Sequence, residues 1–304
     1  MPSLKMALPK GHLWEAVKSL LDQAGYNLSV KGERSYRVES RDRDLEIRIH
    51  RAQNISLLVE QGRYDVGVTG LDWVLEPNAD VEELADLKVG RVDVVAAVPE
   101  RYGIDEQIGP GVFKRFEEKL YEEKRGKAVV ASEYENLTRS LFEKHMPSIP
   151  YRFIRSYGAT ETFIEVADLI VDCTETGATL RENGWRIIYR LFESTARIIA
   201  NRDSLKDPWR REKIAGLVSL VEGARDARGV RLLKMNVQEG FMGDVMRILP
   251  AMKSPTISKL YGGEEAGYAV EVAVNEDQVV QLIPKLKKAG ATDILELKIE
   301  KVVR

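Results

Sequence analysis

Two segments far apart in the chain share one pattern, and that pattern limits the folds open to it. Tyr64-Asp65-Val66-Gly67-Val68 and Ala167-Asp168-Leu169-Ile170-Val171 each set an aspartate before an apolar run that ends at a small or polar turn. A short apolar run bounded by turn residues reads as a strand buried on both faces, the kind found inside an α/β lobe. Its recurrence points to two structurally duplicated lobes, although two unrelated buried strands of common composition would look the same.

The surrounding periodicity agrees with α/β lobes. Leu4 to Leu8 forms an apolar strand, Pro9-Lys10-Gly11 a turn, and Leu13, Val17, Leu20 and Leu21 recur at helical spacing. Leu45, Ile47 and Ile49 alternate as a strand, Ile55 to Gln61 reads as a short helix, and Asp65 to Gly70 as a buried strand closing on a glycine turn. Val92 to Val98 is a further apolar strand before Pro99, after which the charged, glycine-containing stretch 100–126 crosses into the second lobe. There Lys127 to Ala131 reads as a strand, Glu135 to Lys144 as a helix and Leu169 to Asp172 as a strand, and Glu117 to Arg125 as a solvated helix face. Ala196 to Ala200 returns as a strand, and Asp207 to Ala227 is a charged amphipathic helix.

From Gly229 the order is strand (Val230 to Val237), helix (Gly243 to Met252), strand (Ser254 to Tyr261), strand (Tyr268 to Asn275), helix (Glu276 to Lys288) and strand (Ile294 to Val303). This is the ferredoxin-like βαββαβ order. The expected domains are 1–99 with a return segment 192–226, then 100–191, then 227–304.

Composition narrows the function. With 304 residues and 44% hydrophobic content, the chain can build cores for two or three domains. Lys and Arg total 46 against 48 Asp and Glu, so no basic field exists to hold a nucleic acid, and an anionic ligand must be gripped locally. The single cysteine, Cys173, excludes an internal disulfide and suits a reducing compartment. His12, His50 and His145 lack metal-ligand spacing. The apolar stretch at Val92 to Val98 is far shorter than the ~20 residues that span a bilayer, and no signal-peptide core opens the chain. A cytoplasmic protein without membrane or nucleic-acid partners is expected.

The chemistry concentrates in Leu169 to Gly184. An apolar strand runs into Asp172-Cys173-Thr174-Glu175-Thr176-Gly177-Ala178-Thr179 and then a helix, which gathers backbone N–H groups and hydroxyls at one point, as a phosphate requires. Asp172 and Glu175 would repel bare phosphate but suit ribose hydroxyls or a magnesium carried by pyrophosphate. A phosphorylated ribose fits the combination. The alternative, Thr176 and Thr179 acting only as helix caps, leaves the two acids unexplained. Lys10, in the loop after the first strand, is placed to reach a phosphate.

The segment Glu165 to Gly184 resembles the phosphoribosyl-pyrophosphate loop of the ATP phosphoribosyltransferase family. Met6-Ala7-Leu8-Pro9-Lys10-Gly11, Val66 to Asp72 and Glu135-Asn136-Leu137-Thr138-Arg139 are similar to other motifs of its catalytic lobes. Leu249-Pro250, Ser254-Pro255-Thr256-Ile257 and Ala289 to Leu295 resemble the regulatory domain of its long form. The resemblance implies an α/β fold of two lobes resembling type II periplasmic binding proteins, with the active site in their cleft, plus a C-terminal ferredoxin-like (ACT-like) domain. It implies attack by adenine N1 of ATP on C1′ of phosphoribosyl pyrophosphate, Mg2+ on the diphosphate, feedback inhibition by histidine, and a homo-oligomer between dimer and hexamer. Such a reaction needs alignment and neutralised leaving-group charge more than a covalent nucleophile.

By the same resemblance, Glu161 is the catalytic candidate: it orients ribose or the magnesium-diphosphate, or accepts a proton from adenine's amino group. Asp172, Thr174, Glu175, Thr176, Gly177, Ala178 and Thr179 bind phosphoribosyl pyrophosphate. Lys10, Gly11, Arg51, Gly70 and Asp72 bind ATP, and Asn236, Met252, Thr256 and Ala273 bind histidine. No dedicated metal site is implied; the magnesium rides on the diphosphate near Asp172 and Glu175. The chain departs from the family at His12, where arginine is common, and at Asn54-Ile55-Ser56, where Asp-Ile-Pro is frequent, both on the expected nucleotide side. Cys173 is not expected as a nucleophile, because flanking carboxylates raise a thiol pKa. The competing class is a non-catalytic two-lobed small-molecule binding or sensor protein.

Overall fold

The computed structural model describes residues 2–32, 35–104, 111–124, 126–250, 254–261 and 267–303. The chain divides into two compact units: Met1–Ser19 with Leu28–Val218, and Leu20–Asn27 with Ser219–Arg304. In chain order the elements up to the second unit's sheet are β1 (Leu4–Pro9), α1 (His12–Gln23), β2 (Ser29–Val30), β3 (Arg37–Glu39), β4 (Leu45–His50), α2 (Ala52–Glu60), β5 (Val66–Gly70), α3 (Asp72–Leu75), β6 (Glu82–Asp86), β7 (Val92–Pro99), α4 (Val112–Lys124), β8 (Ala128–Ser132), α5 (Glu135–His145), β9 (Tyr151–Arg155), β10 (Leu169–Thr174), α6 (Ala178–Glu182), β11 (Trp185–Ser194), β12 (Ala196–Ala200) and α7 (Pro208–Asp226).

The first unit holds two sheets, of seven and five strands, and the five strands of the second follow the same order as five of the first. In lobe I the order is β2-β3-β4-β1-β5-β12-β6; in lobe II it is β9-β8-β10-β7-β11. In each, one strand (β1 or β8) lies between and parallel to two others (β4 and β5, or β9 and β10), a strand antiparallel to β5 or β10 follows (β12 or β7), and a last antiparallel strand closes the order (β6 or β11). The repeated aspartates occupy equivalent positions at atomic scale. The Lys5 amide donates to Asp65 Oδ2 at 2.8 Å and the Val129 amide to Asp168 Oδ2 at 2.8 Å. The aspartate amides donate back to the Lys5 and Val129 carbonyls at 2.9 and 2.8 Å. The other carboxylate oxygen accepts from the Ser204 hydroxyl in lobe I and the Tyr102 hydroxyl in lobe II. A buried carboxylate is stable only with such partners, which explains why aspartate stands at the head of both β5 and β10.

The lobe boundary differs from the expected one. Val92–Pro99, expected as the end of lobe I, lies inside the lobe II sheet between β11 and β10. The reason is its two apolar faces: Val94, Ala96 and Val98 enter one core while Val95 and Ala97 enter another, a pairing that only an interior strand satisfies. The return into lobe I comes after Ser194, at β12, and not at residue 192. The second unit begins within α7, at Ser219, where expectation set 227, and it recruits Leu20–Asn27 from the start of the chain.

The second unit contains β13 (Val230–Gln238), α8 (Met242–Ile248), β14 (Thr256–Lys259), β15 (Gly267–Asn275), α9 (Glu276–Lys288) and β16 (Ala291–Lys298). Its antiparallel order β14-β15-β13-β16 is the ferredoxin-like arrangement. Leu233, Met235 and Val237 with Val270, Val272 and Val274 form one buried face, packed with Val279, Leu282 and Leu286 of α9. Gln23 Nε2 donates to the Ala224 and Glu300 carbonyls and the Val302 amide to Gly223, tying the N-terminal segment and the chain's end into this unit. No described helix is long and apolar enough to cross a membrane.

Replacing Asp168 with Ala strands the Val129 amide and the Tyr102 hydroxyl in the core. It is expected to lower stability by about 3 kcal/mol, read as a lower urea midpoint.

Candidate active site

A cavity of about 940 Å³ lies between the two lobes of the first unit, within the size range of nucleotide-sized pockets. All five residues expected on the nucleotide side, Lys10, Gly11, Arg51, Gly70 and Asp72, line it, as do His12 and Asn54. Lys10 follows β1, with its ammonium 5.3 Å from the centre of the Tyr36 ring. Gly11 has a φ of +88°, which lets the chain turn directly into α1. Arg51 sits exposed at the start of α2. Of the departing tripeptide, Asn54 faces the cavity, whereas Ser56 is fully buried and its hydroxyl donates to the Trp73 carbonyl.

Asp72, expected as an ATP contact, lines the cavity and is also tied into the protein. It is 4% exposed, and both carboxylate oxygens are taken: the Ser194 hydroxyl donates to Oδ1 at 2.6 Å and the Tyr134 hydroxyl to Oδ2 at 2.8 Å. Gly70 serves this arrangement, because a Cβ there would lie 2.1 Å from Asp72 Oδ1. Lobe II contributes Glu133, Tyr134, Asn136, Arg155 and Tyr157 to the opposite wall. Of these, only the motif Glu135-Asn136-Leu137 was legible beforehand. Tyr157 is 86% exposed, an unusual state for a tyrosine beside a cavity, and the Arg155 guanidinium is held by Glu135 at 2.5 Å.

The expected phosphoribosyl group lies at the end of β10. Among its members none lines the 940 Å³ cavity; Cys173 does, and joins the two sets. The loop is shaped by its own hydroxyls: the Gly177 amide donates to Thr174 Oγ1 at 2.9 Å and the Ala178 amide to Thr176 Oγ1 at 3.3 Å. These two amides are therefore already engaged, where free donors were expected. The sequence reading missed Arg181, whose guanidinium donates to the Thr176 carbonyl at 2.9 Å and supplies the loop's positive charge. Thr179 and Glu175 are exposed at the loop's rim. Glu161 follows the loop 156–159, and its carbonyl accepts from Trp185 Nε1 at 2.8 Å.

Asp172 carries the most informative electrostatics. Burial pushes its carboxyl up to about 6 against hydrogen bonds from the Cys173 amide and Thr160 that favour the anion; the charges of Glu161 and Glu133 push it further. Its side chain keeps some solvent contact, yet protein surrounds most of it. Burial first and Asp172 second push the neighbouring Cys173 thiol up to about 12, so it is no nucleophile at neutral pH. Among the described residues no three His, Cys, Asp or Glu side chains are grouped to hold a metal ion. Mg2+ brought in on a diphosphate needs only one or two protein carboxylates beside phosphate and water, and Asp172 with the exposed Glu175, the pair expected to stand near it, offers oxygen donors of that kind.

In the second unit, Asn236, Thr256 and Ala273 share the sheet face opposite the helices, since their neighbours Met235, Val237, Val272 and Val274 point into the core. Asn236 pairs with Ala269, four positions along β15 from Ala273, and its side-chain amide donates to Asp293. Met252 lies outside the described residues.

A carboxyl whose pKa is raised on folding binds more protons folded than unfolded, so its stability contribution falls as pH rises between the two values. The rise from 3.8 to about 6 is equivalent to at most about 3 kcal/mol. Asp172→Asn is therefore expected to stabilise the protein at pH 7.5 and to change little at pH 3.5, measured as the shift in thermal midpoint at each pH.

Residues 51–223 match the family model described as HisG, ATP phosphoribosyltransferase, and residues 227–301 the model of the HisG C-terminal domain. The ATP phosphoribosyltransferase of Pelotomaculum thermopropionicum is 40% identical over 306 aligned positions, covering 99% of both chains. That of Pelodictyon phaeoclathratiforme is 40% identical, covering 99% of this chain and 97% of its own. A solved ATP phosphoribosyl transferase (HisG:HisZ) complex from Thermotoga maritima matches with a TM-score of 0.57 and 25% identity, over 72% of this chain and 98% of that one. These full-length likenesses to enzymes disfavour the reading as a non-catalytic binding protein. The chain belongs to the ATP phosphoribosyltransferase family, in its long form with a HisG C-terminal domain.

Proposed function

We propose that the lobe I wall of the cavity binds ATP and that the β10 loop of lobe II holds phosphoribosyl pyrophosphate, so that adenine N1 attacks C1′ and pyrophosphate leaves. The observation that carries this reading is the contrast between the two walls. Lys10 and Arg51 present cations to a cavity of nucleotide size, while Asp172 and the self-braced threonine loop flank Cys173, the β10 residue that lines the cavity from lobe II. Lys10 and Arg51 grip triphosphate oxygens, Arg51 with a fork suited to two of them. Gly11 and Asn54 line the same surface. Thr174, Thr176, Gly177, Ala178 and Thr179 cradle the 5′-phosphate beside Arg181, and Asp172 and Glu175 accept from ribose hydroxyls. Glu161 orients the ribose or accepts the proton released from adenine's amino group. Mg2+ on the diphosphate neutralises charge on the leaving group. The chemistry proceeds by alignment and charge neutralisation, worth more here than any nucleophile on the protein.

The enzyme works in the cytoplasm as a homo-oligomer, dimer to hexamer, and opens histidine biosynthesis. Histidine inhibits it by binding the second unit near Asn236, Met252, Thr256 and Ala273.

Pyrophosphate release and formation of N1-(5-phosphoribosyl)-ATP from ATP, Mg2+ and phosphoribosyl pyrophosphate test the reaction; absence of the product refutes it. Gly177 has a φ of +74°, and a Cβ there meets Arg181 Nη1 and Ile187 Cδ1, both at 2.8 Å. Gly177→Val is thus expected to raise KM for phosphoribosyl pyrophosphate about tenfold or more, with a smaller effect on ATP. Equal loss of both substrates argues against the loop assignment. A chain ending at Asp226 is expected to lose histidine sensitivity, and inhibition of that shortened chain at an unchanged histidine concentration refutes the regulatory assignment.

A further inference from the structure

The two lobes are joined at α3 and at Glu76, which follows it, by hydrogen bonds and a ring stack. The buried Asp72 carboxylate of lobe I accepts from Tyr134 of lobe II and from Ser194 where β11 ends. The Trp73 ring lies on the Tyr134 ring, with centroids 4.7 Å apart and planes inclined at 29°. Glu76, 7% exposed, reaches across to the start of α5: the Asn136 and Leu137 amides donate to its two oxygens, each at 3.0 Å, and Asn136 Nδ2 donates to its carbonyl at 2.8 Å. Tyr134, at the head of α5, gives the helix no side-chain cap, so lobe I caps a helix of lobe II. A carboxylate at that position satisfies two orphan amides and meets the positive end of the helix dipole.

Such bonds matter to a cleft enzyme because of what closure requires. When open lobes must be drawn together by substrate, part of the first ligand's binding energy is spent on closure, and the second then binds to a formed site. Bonds internal to the chain remove that expense from both ligands.

We propose that Asp72, Glu76 and Tyr134 form a latch that holds the catalytic cleft closed from within the chain, so that each substrate meets the opposite wall already in place. The inference rests on the assignment of the two substrates to opposite walls. Glu76 and Tyr134 are then positioning residues; neither need touch a reacting atom.

The test is steady-state kinetics of the full chain carrying Tyr134→Phe, which keeps the ring stack and loses the donor to Asp72, and separately Glu76→Gln, which keeps one acceptor for the two amides. Each is expected to raise KM for ATP about tenfold at low phosphoribosyl pyrophosphate, the fold-change of one charge-assisted hydrogen bond. At saturating phosphoribosyl pyrophosphate the rise shrinks toward about twofold and kcat stays near the parent value, because the bound partner then supplies closure. A loss confined to kcat overturns the proposal in favour of a direct chemical role. So does an equal rise in KM at both concentrations, or no change at all. Should Tyr134→Phe fail to fold, Glu76→Gln decides. Failure of the functional assignment looks different: the parent enzyme itself then releases no pyrophosphate.

Discussion

The reciprocal bonds between Asp65 and Lys5, and between Asp168 and Val129, set the frame on which the active site stands. They fix the register of β5 against β1 and of β10 against β8, and with it the height at which these strands end. In a sheet of this kind ligands gather beyond the carboxyl ends of the parallel strands. Lys10 follows β1, Arg51 follows β4, Gly70 ends β5 and Thr174 ends β10; all depend on that alignment. A slip of one residue would turn each strand's side chains to the opposite face.

Both lobes bring charge to the cleft. Lys10 and Arg51 of lobe I and Arg155 and Glu133 of lobe II line the cavity, while burial and the charges of Glu161 and Glu133 raise the pKa of Asp172. The uncharged appearance of the whole chain, with a net charge of -2, conceals this local charge. Recognition of a strongly anionic substrate pair depends on local placement of a few groups, not on overall charge.

Much of this was legible in the sequence because it rests on hydrophobic period. Strands β1, β4, β10 and β12, helices α2, α5 and α9, and the ferredoxin-like order are all written in apolar spacing. What the sequence hid depends on contacts between distant segments. The membership of β7 follows from which sheet can bury both its faces, and nothing local states that. Strand β9, Tyr-Arg-Phe-Ile-Arg, alternates charge with apolar residues of partial burial, as a sheet edge does. The family resemblance offers Asp72 as an ATP contact; that its carboxylate oxygens accept from Tyr134 and Ser194, 62 and 122 residues away, is not written locally in the sequence. The engagement of loop amides by Thr174 and Thr176 is likewise a matter of backbone geometry that composition does not encode.

The exchange of strands between the lobes bears on how the chain is made. Strand β12 lies between β5 and β6, so the lobe I sheet stays divided until residues 196–200 have left the ribosome. By then all of lobe II has emerged. Likewise Leu20–Asn27, synthesised well before Ser219, belongs to the unit formed with residues 219–304. Lobe II, whose five strands are contiguous between Val92 and Ser194, can assemble its sheet before β12 completes that of lobe I. The N-terminal segments meanwhile wait as unpaired β edges, the state in which a nascent chain is most exposed to wrong partners.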